Sequence, residues 1–426
     1  MVARPHPGGV STDMSAAAAQ QAQDDRTAVA AQPAATAPDA AQPATPDAVP
    51  AAPDTERAAR LAGLRARMTD ADLAAIAIAS PERIYYLTGL DHLGYFAFTL
   101  LLVSADGDPV IVTRAMERPT IAAQLPHCRH VTFADGDDPA MAVSAVLGEL
   151  VPDGATVGVE TGALFFPPTI LARIRAATPW LHLRDTDALL TDAMAVKSAV
   201  EIALTRRAAG VSDAAMTAGV AAARPGAGEH DVAAAVHHAM YASGGQQPGF
   251  APLIRPLSLL DQEHVSWQPR PLQPGTGLFL ELSGCVARYH APLSRTVYLG
   301  SLPDGAAEAH AAALAGLNAA RDALHPGVTT GQVYARWQHA VAGSDSPSWP
   351  LRHHCGYLVG IGFPPSWVGG GEVLGIRAGG DTPIASGMAF HLMSWVAGHV
   401  VSDTALVTPH GAELLTSTSR DLTVVT

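Results

Sequence analysis

The sequence predicts a mixed α and β chain of two domains, an α/β domain followed by an α+β domain floored by an antiparallel sheet. Its 426 residues are 48% hydrophobic, enough to bury two cores. Between about Thr55 and Leu190, short apolar runs alternate with amphipathic stretches. Beyond Ser198, helical patterns come before long strand-like runs, the order of an α+β domain.

Residues 1–56 include AAAAQQAQDD and AAQPAATAPDAAQPATPDAVPAAPD, which nearly lack aromatic or large aliphatic side chains. Such a segment cannot offset the entropy of ordering, so a disordered extension is expected. Residues 57–192 make the first domain. ERAARLAGLRARMTDADL reads as an amphipathic helix, while LAAIAIAS and PERIYYLTGL both read as strands. FTLLLVSADGDPVIVT reads as a hairpin turning at Asp106-Gly107, and GATVGVE and LHLRDTD add short strands. Residues 193–426 make the second domain. Ser198 and Glu201 form an S-x-x-E capping box that starts a helix, and a second helix covers EHDVAAAVHHAMYAS. Two more helices are expected in GAAEAHAAALAGLNAARDAL and TTGQVYARWQHAVAG. GLFLELSGCV, APLSRTVYLG, GMAFHLMSW and HVVSDTALVT read as strands.

Composition excludes some functions. Net charge is −13, with 26 basic against 39 acidic residues, so the footprint of a nucleic-acid binder is missing and a small cationic or zwitterionic substrate suits better. The three cysteines show no paired spacing, which points to a reducing, cytoplasmic compartment. The N-terminus has no apolar signal-type region, and no run of ~18 apolar residues exists to span a bilayer.

Several polar residues sit where a plain sheet needs none. ELSGCVARYHAPLSRTVYLG reads as two strands and a short turn, yet it sets Glu281, Arg288 and His290 among apolar residues. His264 precedes the sheet in DQEHVSWQP, and His391 and Asp403 lie in the last two strands. Antiparallel strands can bring such residues to one face, although each taken singly reads more often as a hydrogen-bonded structural group. In RHHCGY, three potential ligands in a row cannot all turn to one ion, and no paired zinc spacing is near. GYLVGIGFPPSWVGGGE reads as a pocket rim stiffened by Pro364, Pro365 and Trp367, and equally as a simple Gly/Pro loop.

The order KSAVEIALTRRAAG, His264, LQPGTGLFLELSG, RYHAPLSRTVYLG, GYLVGIG, GMAFHL and SDTALVTPHGAELLT resembles the superfamily of creatinase, prolidase, aminopeptidase P and methionine aminopeptidase, from about residue 57 to the end. The resemblance implies a C-terminal pita-bread fold with a creatinase-like α/β accessory domain before it. It also implies a homodimer in which Tyr95 or Phe96 of YYLTGLDHLGYFAF helps to close the neighbour's site. Peptidases of the superfamily bind two metal ions through two Asp, one His and two Glu, and motif alignment sets these positions on Glu281, Pro292, Tyr357, Met393 and Ser402. Proline and methionine cannot supply the carboxylates a hard dinuclear centre needs, so neither metal nor cofactor is expected.

Within the superfamily, HVSW, LELSG, RYHAPLSRTVYLG, the Gly-Tyr with its Pro-Pro-x-Trp, and GMAFH resemble the metal-free ectoine hydrolases. WVGGGE, SDT with Asp403 where a glutamate is usual, and QQPGFAPLIRPLSLLD before His264 depart from that pattern. The resemblance implies hydrolysis of a cyclic amidine, with ectoine opening to N-acetyl-2,4-diaminobutyrate. Glu281 would pair with the amidinium or attack its carbon, and His264 would act as base on water, a role imidazole fills because it titrates near neutral pH. Tyr289, His290 and Tyr357 would orient the ring, Trp267 and Trp367 would cover it, and His391 and Asp403 would complete the substrate contacts. Two other classes stay open. One is an Xaa-Pro peptidase or creatinase-like hydrolase; the other is a non-catalytic pita-bread binding module, against which His264 and Glu281 speak.

Overall fold

Two sheets organise the chain, which a computed structural model describes for residues 53–342, 352–368 and 373–426. The expected disordered extension lies outside the described residues up to residue 52, as do Gly369 to Glu372 of the WVGGGE run. A helix runs over Asp54–Asp70 and so begins inside the span assigned to that extension. Its first turn carries Asp54 and Glu56, where the helix dipole favours acids.

In the first domain, β1 (Ala75–Ile78), β2 (Leu100–Ser104), β3 (Val110–Arg114), β4 (Arg129–Phe133), β5 (Thr156–Val159) and β6 (His182–Asp185) form a sheet of order β4-β3-β2-β1-β5-β6. The sheet is mixed, since β1 runs antiparallel to β2 and parallel to β5. The hairpin expected at Asp106-Gly107 joins β2 to β3. One element differs: PERIYYLTGL is not a strand but the helix Pro81–Thr88. Pro81 sits in the first turn, where its missing N–H costs nothing, and Gly89 ends the helix at φ +81°. Because Pro81 through Leu87 are all buried, the run shows no helical period and resembles a strand.

The second domain has two halves of like construction. In the first, the Ser198 hydroxyl accepts the Glu201 N–H at 3.2 Å and the Glu201 carboxylate accepts the Ser198 N–H at 3.0 Å, starting the helix Ala199–Ala222. That helix and Glu229–Ala242 accompany β7 (Leu253–Pro256), β8 (Gly277–Val286) and β9 (Tyr289–Leu299). The helix lies on β8 and β9, and so closely at Gly284 that an added Cβ would stand 2.3 Å from the Ala208 carbonyl oxygen. In the second half, helices Ala306–Ala323 and Thr330–Ala342 accompany β10 (His354–Leu358), β11 (Gly375–Arg377), β12 (Ala389–Val396) and β13 (His399–Thr408). These strands form one sheet of order β11-β10-β12-β13-β9-β8-β7, with β14 (Gly411–Leu414) on β13 and β15 (Thr423–Val425) on β9. The halves meet where Ser402 of β13 faces Ser294 of β9. A curved sheet built from two helix-backed halves is the pita-bread arrangement.

The two domains are joined by charge at the β8–β9 turn. Ala287 and Arg288 both adopt positive φ, +47° and +66°, as a two-residue hairpin turn of this hand demands. Arg288 then donates to Asp91 at 2.8 Å and stacks over Phe363 at 4.5 Å, which offsets the backbone cost. Among the described residues, no helix is long and apolar enough to cross a membrane.

Candidate active site

β7, β8 and β9 lie side by side, so Leu253, Glu281 and Ser294 share one row of the sheet. Glu281 lines a cavity of about 360 Å³. Its lining includes Phe250, His264, Tyr357, Trp367 and Met393, and its charged members include Arg255, Glu263, Arg352 and Arg377. Burial pushes the Glu281 carboxyl up to about 7, against the opposing pull of Arg255 and Arg352. The group therefore holds its proton into the neutral range.

A hydrogen-bonded chain stands beside this carboxyl. The Trp367 indole N–H donates to the Tyr357 oxygen at 3.0 Å, which leaves the phenol hydrogen for His391 Nδ1, 2.8 Å away. His391 Nε2 then donates to Ser402 Oγ at 2.6 Å, and Ser402 is held in turn by Ser294 at 2.7 Å. His391 Nδ1 lies 3.9 Å from Glu281. Burial pushes the His391 imidazole down to about 3, so it is neutral and does not balance the Glu281 charge. His264 stands on the loop before β8 at φ +61°, exposed, with its ring 5.8 Å from that of Phe250. Among the described residues, no hydrogen bond or ion pair joins His264 to Glu281; the cavity is what they share.

Other expected residues lie elsewhere. Asp403 is buried on the sheet face opposite Met393 and Ser402, because adjacent strand residues point opposite ways. There it accepts from Arg295 at 2.9 Å, Thr416 at 2.7 Å and Arg420 at 2.5 Å, a structural cluster. Tyr289 also faces away, donating to Glu201 at 3.0 Å near Arg60. His290 shares the face of Glu281 but lies four residues along β9 from Ser294, roughly 13 Å at strand rise. Its Nδ1–H donates to the Arg288 carbonyl at 2.9 Å and its Nε2 accepts the Gly249 N–H at 2.8 Å, so it braces the segment that carries Phe250. Trp267 is 41% exposed and outside the cavity lining. Tyr95 is buried with its hydroxyl donating to the Pro364 carbonyl at 2.8 Å, holding the cavity rim of its own chain, whereas Phe96 is 74% exposed.

The peptidase metal set does not fit these residues. Of the five aligned positions, only Glu281 offers a carboxylate; Met393 carries a thioether, Ser402 and Tyr357 are engaged with His391, and Pro292 has no donor. Among the described residues, no three His, Cys, Asp or Glu are grouped to hold a metal ion.

The residues that sequence reasoning passed over are cationic or aromatic. Arg352 pairs with Glu263 and stacks over Trp395 at 4.0 Å, and burial pushes the neighbouring His354 down to about 4. Both come from RHHCGY, whose run of potential ligands draws attention to metal binding rather than to its arginine. Arg255 is 1% exposed in β7. Its one trace in the sequence is a charge inside the apolar run PLIRPL.

Residues 203–409 match the model of metallopeptidase family M24, and residues 60–194 match the creatinase/prolidase N-terminal domain. An uncharacterized hydrolase/peptidase, y4tM, of Sinorhizobium fredii is 30% identical over 383 residues, covering 86% of this chain and 96% of that protein. Ectoine hydrolase of Halomonas elongata is 26% identical over 394 residues, covering 87% and 97%. The crystal structure of dipeptidase PepE from Mycobacterium ulcerans superposes with a TM-score of 0.73 at 26% identity, covering 87% of this chain and 98% of that one. With matched models over both domains and a relative aligned along nearly its whole length, the chain belongs to metallopeptidase family M24 as a hydrolase with a creatinase-type N-terminal domain.

Proposed function

We propose that this hydrolase opens a C–N bond of a small cyclic amidine without a metal ion, with ectoine as substrate and N-acetyl-2,4-diaminobutyrate as product. The observation that carries the reading is a lone buried carboxyl, Glu281, at a position where the family's peptidases need a full ligand set. An amidinium suits such a site, because its central carbon is electrophilic without a Lewis acid. Ionised Glu281 pairs with the ring N–H groups. His264 takes a proton from water as the water oxygen adds to the carbon between the two nitrogens. One C–N bond then breaks as its nitrogen takes that proton back from His264, and the hydroxyl on the carbon gives up its remaining proton to the released nitrogen as the carbonyl forms, so that amidinium and water become an amide and an ammonium group. Direct attack by Glu281 is the other course open to the same carboxylate. Trp367 and Tyr357 form the wall against which the ring rests.

The likeness to ectoine hydrolase supports this reading, while the likeness to a dipeptidase supports peptide cleavage, which the donor set disfavours. The test is incubation of metal-stripped protein with ectoine, hydroxyectoine, creatine and an Xaa-Pro dipeptide, with products read by mass. Addition of one water to ectoine, unaffected by chelator, is expected. Cleavage of the dipeptide alone, and only with added divalent metal, would replace this reading by the peptidase one.

A further inference from the structure

Three buried side-chain atoms among the described residues have no hydrogen-bond partner: Arg255 Nε, His354 Nδ1 and Trp395 Nε1. All three residues line the cavity that holds Glu281. Arg255 Nε and Trp395 Nε1 can only donate, and a buried donor left unpaired is costly and rare. The two are neighbours across Phe279, which lies opposite Arg255 in the sheet: the guanidinium sits 4.7 Å over that ring and the Trp395 ring 5.5 Å from it. Arg352 stacks on Trp395 at 4.0 Å, with its charge paired to Glu263. The other end of the Arg255 guanidinium is occupied, donating to the Val265 carbonyl at 3.1 Å and the Leu260 carbonyl at 3.5 Å. These bonds fix its plane and leave the Nε edge without an acceptor.

We infer that Arg255 and Trp395, flanked by Arg352, form a receptor for a carboxylate on the substrate, so that the cavity selects a zwitterion. The anionic end is received at Arg255 and the cationic end at Glu281. The cationic half rests on the proposed function; the anionic half rests only on the unpaired donors.

Pipecolate and piperidine test this, since both are six-membered cationic rings, only one carries a carboxylate, and neither has a bond for this enzyme to hydrolyse. Calorimetry on wild type is expected to show pipecolate bound about 10- to 100-fold more tightly than piperidine. In R255M the preference should fall below about threefold, with R255K, which retains charge but not the planar fork, in between. Affinity for piperidine should not fall in parallel with that for pipecolate, as it would if Arg255 were merely structural. Equal affinities in wild type, affinity for neither ring at millimolar concentration, or a preference surviving in R255K and R255M would overturn the inference. A clear preference in a protein that does not open ectoine would leave the carboxylate receptor standing and remove the amidine reading alone.

Discussion

Glu281 is a carboxyl whose burial works against its charge. In the folded chain it keeps its proton up to about pH 7, against an ordinary value of 4.5. The native state therefore binds more protons than the unfolded chain between those values, and stability falls as pH rises through that window. E281Q copies the protonated shape. It should match wild type near pH 4 and exceed its stability at pH 8 by on the order of 2–3 kcal/mol, as read by denaturant titration; a difference independent of pH would refute the burial account. The same variant cannot pair with an amidinium. Its turnover, and that of H264N, should fall by about 10²–10⁴, with the two losses strongly non-additive because both groups serve one reaction. Near-normal turnover in either folded variant would remove that residue from the mechanism.

At the scale of elements, the site depends on how closely the helix Ala199–Ala222 seats on β8 and β9. Gly284 permits the approach, since a methyl there would meet the Ala208 carbonyl at 2.3 Å, an atom fixed in the helix backbone. The Ser212 hydroxyl accepts the Gly284 N–H at 2.6 Å and donates to the Ala291 carbonyl at 2.6 Å, so one side chain ties the helix to both strands. G284A should separate these layers at a cost of about 1–3 kcal/mol, visible as a lowered Tm. An unchanged Tm would show that the helix can shift without penalty.

At the scale of the whole molecule, we propose a homodimer. Phe96 is 74% exposed, and Leu164 is 60% exposed on a segment tied to the Phe96 turn by the Tyr95–Phe165 ring contact at 4.7 Å. Tyr95 serves its own chain through Pro364, which leaves Phe96 as the residue to reach the neighbour. F96D should yield monomers in sedimentation analysis, with weakened substrate binding. A wild-type protein that is monomeric and fully active would rule out the shared site.

What the sequence by itself determined is what short stretches of chain encode. The Ser198–Glu201 capping box, the turn at Gly107 and the apolar runs of β8, β9, β12 and β13 act through neighbours a few residues away, and so they were legible. Glu281 and Tyr357 were legible as candidates because a motif order placed them on the ligand positions, and they do line the cavity. The helix Pro81–Thr88 was not legible, because burial on all sides erases the periodicity that marks a helix. Only the tertiary structure decided which polar residues converge. Sheet order brings Arg255 of β7 to Trp395 of β12 across Phe279, while strand alternation turns Asp403 and Tyr289 away and strand length carries His290 out of reach. Neither the facing of a strand nor the sheet neighbour it acquires is written in local residue types, because both follow from packing between segments distant in the chain.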